Sequence, residues 1–472
     1  MVAIPLPLSS FPGASPSEGA GRLINVFAEA LGENARARAV IHRVPGLAGW
    51  GTSDEETFRG SLILGANIYA AYAGTVVKYP ASGGTATAVD DLDGTDKVYF
   101  LRNNRRPIPD VLIICAAGVF TLSNDEIDDL ADPDLPTITA GVFLDGYFFV
   151  TSQDGRCFAS GLNATTFGSN DFITTEAKAD TLHRPVAWNG NLLLCGSGSI
   201  EVWDGDNPND TGFPFNRVAV IQRGIIGPHA IAGFEDGFGK ALMFVGDDNA
   251  VHVLNGYTPE KVSPPDLDRL IEAVADKTTL EAGVYIAAGH PKWVLSCPDW
   301  TWEFDLNTSK WNERRSYGAT RWRGTQPFNA FGKWLCGDLN SGNIVEISSA
   351  AQTEVGAPLV CEVWSAPVHK FPQRLRVARA DFDFSTGIGD AEGIDPNETA
   401  PRVEISYSDD GGNTFSLPRL RNRGRQGRFL ERVTVFLQGQ TGAQGRVYKI
   451  RMSDPRPFGL MAGDMSAEAK VA

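Results

Sequence analysis

No run of eighteen apolar residues occurs in the chain, which excludes a membrane-spanning helix. The chemistry-bearing patterns are missing as well. The six histidines form no HxxxH or HExxH, and the six cysteines contain no CxxC, so metal centres and redox pairs have no support. No G-x-S-x-G, no Walker loop and no G-x-G-x-x-G after a strand is present, which removes the common hydrolase, NTPase and dinucleotide-binding readings. The N-terminal MVAIPLPLSSFPGASPSEG has no basic region, and prolines break its short apolar stretch; it does not read as a signal peptide, and synthesis in a cytoplasm is expected. Positive charge is scarce too: 42 Lys and Arg face 57 Asp and Glu, a net −15, the wrong sign for a stable grip on nucleic acid.

Turn formers and short apolar runs are abundant. The chain has 51 Gly and 28 Pro, with the glycines set singly between apolar runs, the pattern of short strands joined by tight turns. From about residue 58 one unit recurs: four to six apolar residues, a Gly- or Asn-containing turn, and a second apolar run. VLIICAAGVFTLS (111–123), GVFLDGYFFVTSQDGRCFAS (141–160) and VAWNGNLLLCGSGSIEVWDG (186–205) are examples. Such units at roughly 40–50 residues mark the blades of a β-propeller. An all-β fold is expected, a propeller of six blades with seven as the alternative, followed by a smaller β-sandwich-like domain. The predicted layout is an N-terminal arm and first strands over 1–57, a propeller over 58–350, a sandwich over 351–457 and a flexible tail over 458–472. The proline-rich arm is expected to order against a neighbour. One helix is expected over 264–277, where Leu267, Leu270, Ile271 and Val274 recur at helical spacing. Cys115, Cys157, Cys195, Cys297, Cys336 and Cys361 lie mostly in strand-like runs and read as buried free thiols.

Each candidate site has a plain structural reading beside it. SDDGGNTF (408–415) matches the Asp-box hairpin of sialidases; its Asp410, glycines and Thr414 make a self-contained turn, and it occurs once. EVWDGDNPND (201–210) is rich in oxygen ligands but lacks calcium-loop spacing, so it reads as an acidic turn. His290 in GHP reads as a turn histidine, and Asp128–Asp129 as a polar turn rather than a catalytic pair. No catalytic residue, cofactor or metal site is assigned. Arg419, Arg421, Arg423 and Arg425 alternate, so in an extended segment all four point to one side, and Arg428 and Arg432 follow. They read as a solvated loop or as the contact to an acidic partner, with nucleic acid a distant third. Charge is uneven along the chain: residues 365–457 carry 15 Lys and Arg against 11 Asp and Glu, whereas residues 1–364 carry −18.

Several stretches together resemble the packaged-DNA stabilisation proteins that form the tail hub, or nozzle, of short-tailed bacteriophages. They are INVFAEA (24–30), VPGL (44–47), TTEAKADTLHRPVAWNGNLLLCGSGSIEVW (174–203), PFNRVAVIQRGIIGPHA (214–230), GYTPEKVSPPDLDRLI (256–271), YIAAGHPKWVLSCPDWTWEFDLNTSKWNERRS (285–316), CGDLNSGNIVEI (336–347), RVEISYSDDGGNTFS (402–416) and RVYKIRMSDP (446–455). The resemblance implies a virion structural protein and no enzyme. It implies a hexameric ring below the portal and its adaptor protein, a distal needle or plug, and tail spikes or fibres nearby. DNA would pass through the channel without sequence-specific binding. The arm and the basic C-terminal module would be the inter-ring contacts. The alternative is a sialidase-like or glycan-binding propeller acting as a tail adhesin.

Overall fold

The computed structural model describes residues 1–178, 180–205 and 212–470. Two compact units emerge, each assembled from separated stretches. One comprises Gly49–Tyr285 and Arg323–Glu346; the other comprises Met1–Ala48, Ile286–Trp322 and Ile347–Ala472.

In the first unit the strands come in consecutive antiparallel groups. Gly60–Leu64, Asn67–Tyr72, Gly74–Pro80 and Thr87–Leu92 form the first sheet, and four-stranded meanders follow over 99–129, 138–174, 182–221 and 231–261. With the strands of 324–348, and those of 281–314, of which His290–Arg314 fall in the other unit, the described residues carry seven successive groups, the higher of the two expected numbers. Why these runs are continuously apolar is visible in Val111–Cys115, whose five residues are all buried. Successive side chains of a strand point to opposite faces. Val111, Ile113 and Cys115 pack on Tyr69, Ala71 and Val76 of the sheet before. Leu112 and Ile114 pack on Phe148, Val150 and Phe158 of the sheet after. A sheet covered on both faces has no polar face to alternate with. The same division recurs at Leu192 and Leu194 against Leu193 and Cys195. Phe58 and Tyr72 of the first sheet pack with Leu335 and Ile344 of the last, closing the circle as a β-propeller. The turns use the residues their geometry demands. Asp145-Gly146 and Asn189-Gly190 both sit at positive φ between directly paired strands, the twist that two-residue hairpins need.

The expected helix is present but shorter, spanning Pro265–Ala273 with Leu267 and Ile271 buried. It stops because Val274 turns extended and Asp276 starts a new turn, accepting from the Thr278 N–H, while the Lys277 ammonium donates to the Glu272 carbonyl.

The second unit is a sandwich of two sheets. One orders Val26–Ala30, Ala39–Arg43, Gly459–Lys470, Arg374–Phe384 and Val433–Gln440. The other carries His290–Ser296, Thr301–Asp305, Lys310–Arg314, Arg22–Ile24, Cys361–Trp364, Val447–Met452, Arg402–Ser408 and Arg419–Asn422 in that order. Ile4, Leu23, Val26, Val363, Phe382, Ile405, Tyr448 and Met465 share its core. Two expectations are corrected. The N-terminal arm orders against its own chain: Ile4 and Leu23 are buried, and the Ser10 N–H donates to the Trp311 carbonyl. The flexible tail expected over 458–472 is instead a twelve-residue strand, Gly459–Lys470, paired with Arg374–Phe384 on one side and Ala39–Arg43 on the other. Its Gly, Ala and Ser composition reads as loop, but the ladder on both sides satisfies its backbone. The unit also buries charge: Lys292 lies 2.8 Å from Asp305 and Arg314 2.7 Å from Glu303, with Lys292 over the Phe27 ring at 4.0 Å. All six cysteines are free and buried.

Candidate assembly surface

The first strands of the first four propeller sheets lie against one another in turn. Lys97, just before the second sheet, makes a 2.7 Å ion pair with Glu281 of the sixth group. The Thr325 hydroxyl and the Gln326 N–H donate to the same carboxylate. Burial pushes the Glu281 carboxyl up, but Lys97 and these donors outweigh it and hold it at about 2. Arg184 is clamped between the Tyr99 and Phe234 rings, and His229 stacks on Tyr99. An ion pair that joins the second and sixth sheets is incompatible with a nucleic-acid duplex passing between those two groups.

The arginine series lies on the sandwich. Arg419–Asn422 is the last strand of one sheet and Val433–Gln440 the last of the other, so both are free edges. The alternation holds through Arg423 and fails at Arg425, which is exposed, and the side shared by the first three is inward. Arg419 donates to the Phe436 carbonyl and Arg421 to the Thr434 carbonyl at 2.6 Å. Arg423 is fully buried, donating to the Pro457 and Ser385 carbonyls and lying over the Phe384 ring at 5.0 Å. Burial lowers its guanidinium to about 10. Assignment of Arg423 to a partner contact is therefore corrected: it faces its own core. Arg425, Arg428 and Arg432 are exposed, and only Arg428 makes an ion pair among the described residues, at 3.5 Å to Glu431.

What the sequence reading missed is the apolar character of this edge. Leu417, Leu420, Phe429, Leu430, Phe436 and Leu437 are all exposed, Leu430 and Leu437 by 95% and 86%. Leu437 sits at φ +53° in a bulge between Val377 and Arg379 of the paired strand. A bulky side chain in the left-handed region costs about 1–3 kcal/mol, and here no burial offsets it. Exposed apolar clusters with strained backbone mark contact sites. The runs LP and FL at 417–418 and 436–437 were the available signal, obscured because strand residues at 433–435 are buried and the whole segment reads as core.

The remaining motifs are structural. Asp410 accepts from the Ser408 hydroxyl at 2.6 Å and from the Asn413 and Thr414 N–H groups at 3.0 and 2.9 Å; these bonds, the Ser408 one foremost, hold its carboxyl far below the usual range. Gly412 of the same turn lines a cavity of about 230 Å³ with Trp364, Pro12, Pro16 and Arg22, in which no carboxylate converges. Of the acidic turn 201–210, Glu201 is buried and receives the Glu176 and Ala177 N–H groups, while residues 206–210 lie outside the described residues. His290 is buried 2.7 Å from Asp305. No cluster of metal-ligating side chains occurs among the described residues.

Comparison with known proteins agrees with this two-part build. Among solved structures the chain is similar to BamB from Moraxella catarrhalis, at 14% identity and TM-score 0.37, covering 61% of this chain and 92% of that one. It is similar to the RRP9 WD40 repeats at 8% identity and TM-score 0.41, covering 65% and 99%. An extracellular domain of a one-component system from B. thetaiotaomicron gives 8% and 0.44, covering 79% and 47%. No curated protein matches the chain. Family descriptions are specific: "Bacteriophage P22 Gp10, beta-propeller" matches residues 37–352 and "Bacteriophage P22 Gp10, beta-sandwich" matches 363–468. Matched in order over most of its length, the chain belongs to the P22 Gp10 family, the stabilisation and tail-hub structural proteins of short-tailed phages.

Proposed function

We propose that six copies of this chain form a closed ring below the portal and its adaptor, extending the DNA channel, retaining packaged DNA and anchoring the distal needle or plug. Family membership supports this reading. The observation that carries it is the Lys97–Glu281 ion pair, 2.7 Å long and joining the second and sixth sheets, which argues against a duplex threading one propeller and for a path between copies. Charge fits the same arrangement. The propeller unit carries 17 Lys and Arg against 35 Asp and Glu, a net −18, and the sandwich unit carries 25 against 22. An acidic wall repels phosphates and lets DNA slide, which a gripping, basic wall would prevent. The chain acts as a scaffold in the virion rather than as an enzyme, made in the cytoplasm of the host bacterium.

Single-particle electron microscopy of intact tails tests this. A sixfold ring of this chain around an acidic bore, adjoining the adaptor, is expected. A peripheral fibre of the same chain would point to the adhesin reading, and absence from the particle would remove the hub reading.

A further inference from the structure

We propose that the exposed Arg- and Leu-rich edge of the sandwich, residues 417–437, docks on the acidic outer rim of the propeller in a second copy of this chain. The inference rests on the ring reading above and names the contact that builds the ring.

The donor and acceptor surfaces each lie within a single unit. On the donor side, Leu417, Leu420, Phe436 and Leu437 are exposed along two free edge strands, and Leu437 is held at positive φ. Arg425, Arg428 and Arg432 flank them and point to solvent. Residues 419–432 hold six arginines against the single acid Glu431. Main-chain pairing along Val433–Gln440 is obstructed where Arg419 and Arg421 already occupy the Phe436 and Thr434 carbonyls. Docking through side chains is favoured there, and the excess of arginine favours an acidic occupant.

The chain itself supplies that occupant. Between Arg106 and Arg156 there are nine Asp and Glu and no Lys or Arg. Their centre is the outermost strand of the second sheet, Glu126–Asp129, which lies beside the outermost strand of the first, Thr87–Leu92, through a 2.8 Å bond from the Ile127 N–H to Asp90. Asp91, Glu126, Asp128 and Asp129 are exposed and take part in no ion pair among the described residues. Five arginines, counting the inward Arg419 and Arg421, thus border an apolar strip, and a rim of unpaired carboxylates stands in the other unit. Planar guanidinium forks match carboxylates well, and charges at the border of an apolar contact fix its register. Because donor and acceptor are different surfaces, the contact is head to tail, the type that closes into a ring by rotation.

Charge-swap complementation in assembled particles tests it. One full-length chain carries Arg425→Glu, Arg428→Glu and Arg432→Glu; a second carries Asp91→Lys, Asp128→Lys and Asp129→Lys; a third carries both sets. All six positions are exposed, so folding is checked separately by thermal melting of each purified chain. Each single set is expected to cut copies per particle about tenfold, and the combined set to restore them to within about threefold of wild type. Normal incorporation of both single sets overturns the proposal. So does loss with the arginine set alone while the rim set assembles normally, which would mean that a different virion protein covers the edge. Failure of the combined set to restore assembly, with folding intact, overturns it as well. Imaging wild-type particles separates the two readings: a ring whose swaps behave independently keeps the hub and removes this contact, and no ring removes both.

Discussion

Arg423 shows how far a residue pattern can be read without its surroundings. Four arginines at every second position share one side only while the segment stays extended; Arg419, Arg421 and Arg423 do, and Arg425, beyond the strand and after Gly424 at φ +85°, does not. Whether that side meets solvent or core depends on what packs above it. At Arg423 the Ser385 and Pro457 carbonyls and the Phe384 ring lie there, 38, 34 and 39 positions away in sequence. Arg423→Met keeps the apolar stem but leaves two buried carbonyls without donors, so a loss of about 2–4 kcal/mol is expected in the denaturant midpoint of the purified chain. Arg425→Ala, two positions on and exposed, is expected to stay within about 0.5 kcal/mol of wild type in the same assay.

At the scale of elements, hairpins were legible because their turns and runs agree. A DG or NG pair between apolar runs fixes a two-residue loop, and Leu144 pairs with Tyr147 and Trp188 with Asn191 as that requires. The strand Gly459–Lys470 was illegible for the opposite reason. GLMAGDMSAEAK has no β-branched or aromatic residue, and its extended state comes from neighbours on both sides. Termination after Pro457 would strip the pairing partner from Arg374–Phe384 and Ala39–Arg43 and remove Leu460 and Met465 from the core. Such a chain is expected to be insoluble or to lose its cooperative melt. A truncation at 457 that melts like the full chain would show that the strand is dispensable.

Across the whole propeller unit, closure depends on groups far apart in sequence. Lys97 and Glu281 join the second and sixth sheets, and the Glu281 side chain is 13% exposed. Its carboxyl is held at about 2 against an ordinary 4.5. An unfolded chain therefore binds a proton here that the folded chain does not between those values, so stability falls as pH drops from about 4.5 to about 2 and is fully present above. The contribution is on the order of 3 kcal/mol. Glu281→Gln should lower the melting temperature at pH 7 and make the decline between pH 4.5 and 2 shallower. An unchanged acid limb in that variant would place the acid sensitivity elsewhere.

Composition, period and turn chemistry determined the all-β class, the repeated sheets, the buried thiols and the uneven charge, because each depends on residues within a few positions of one another. The ordered motifs pointed to the family for the same reason: they are local. Tertiary structure alone decided that the N-terminal segment belongs to the C-terminal sandwich, that Ile24 lies beside Glu313, and that the last strand closes a sheet begun at residue 26. It also decided that three alternating arginines seal an edge while leucines beside them stay exposed. Those outcomes are set by pairings between residues tens to hundreds of positions apart, and no local pattern encodes which distant strand will satisfy a given backbone or cover a given side chain.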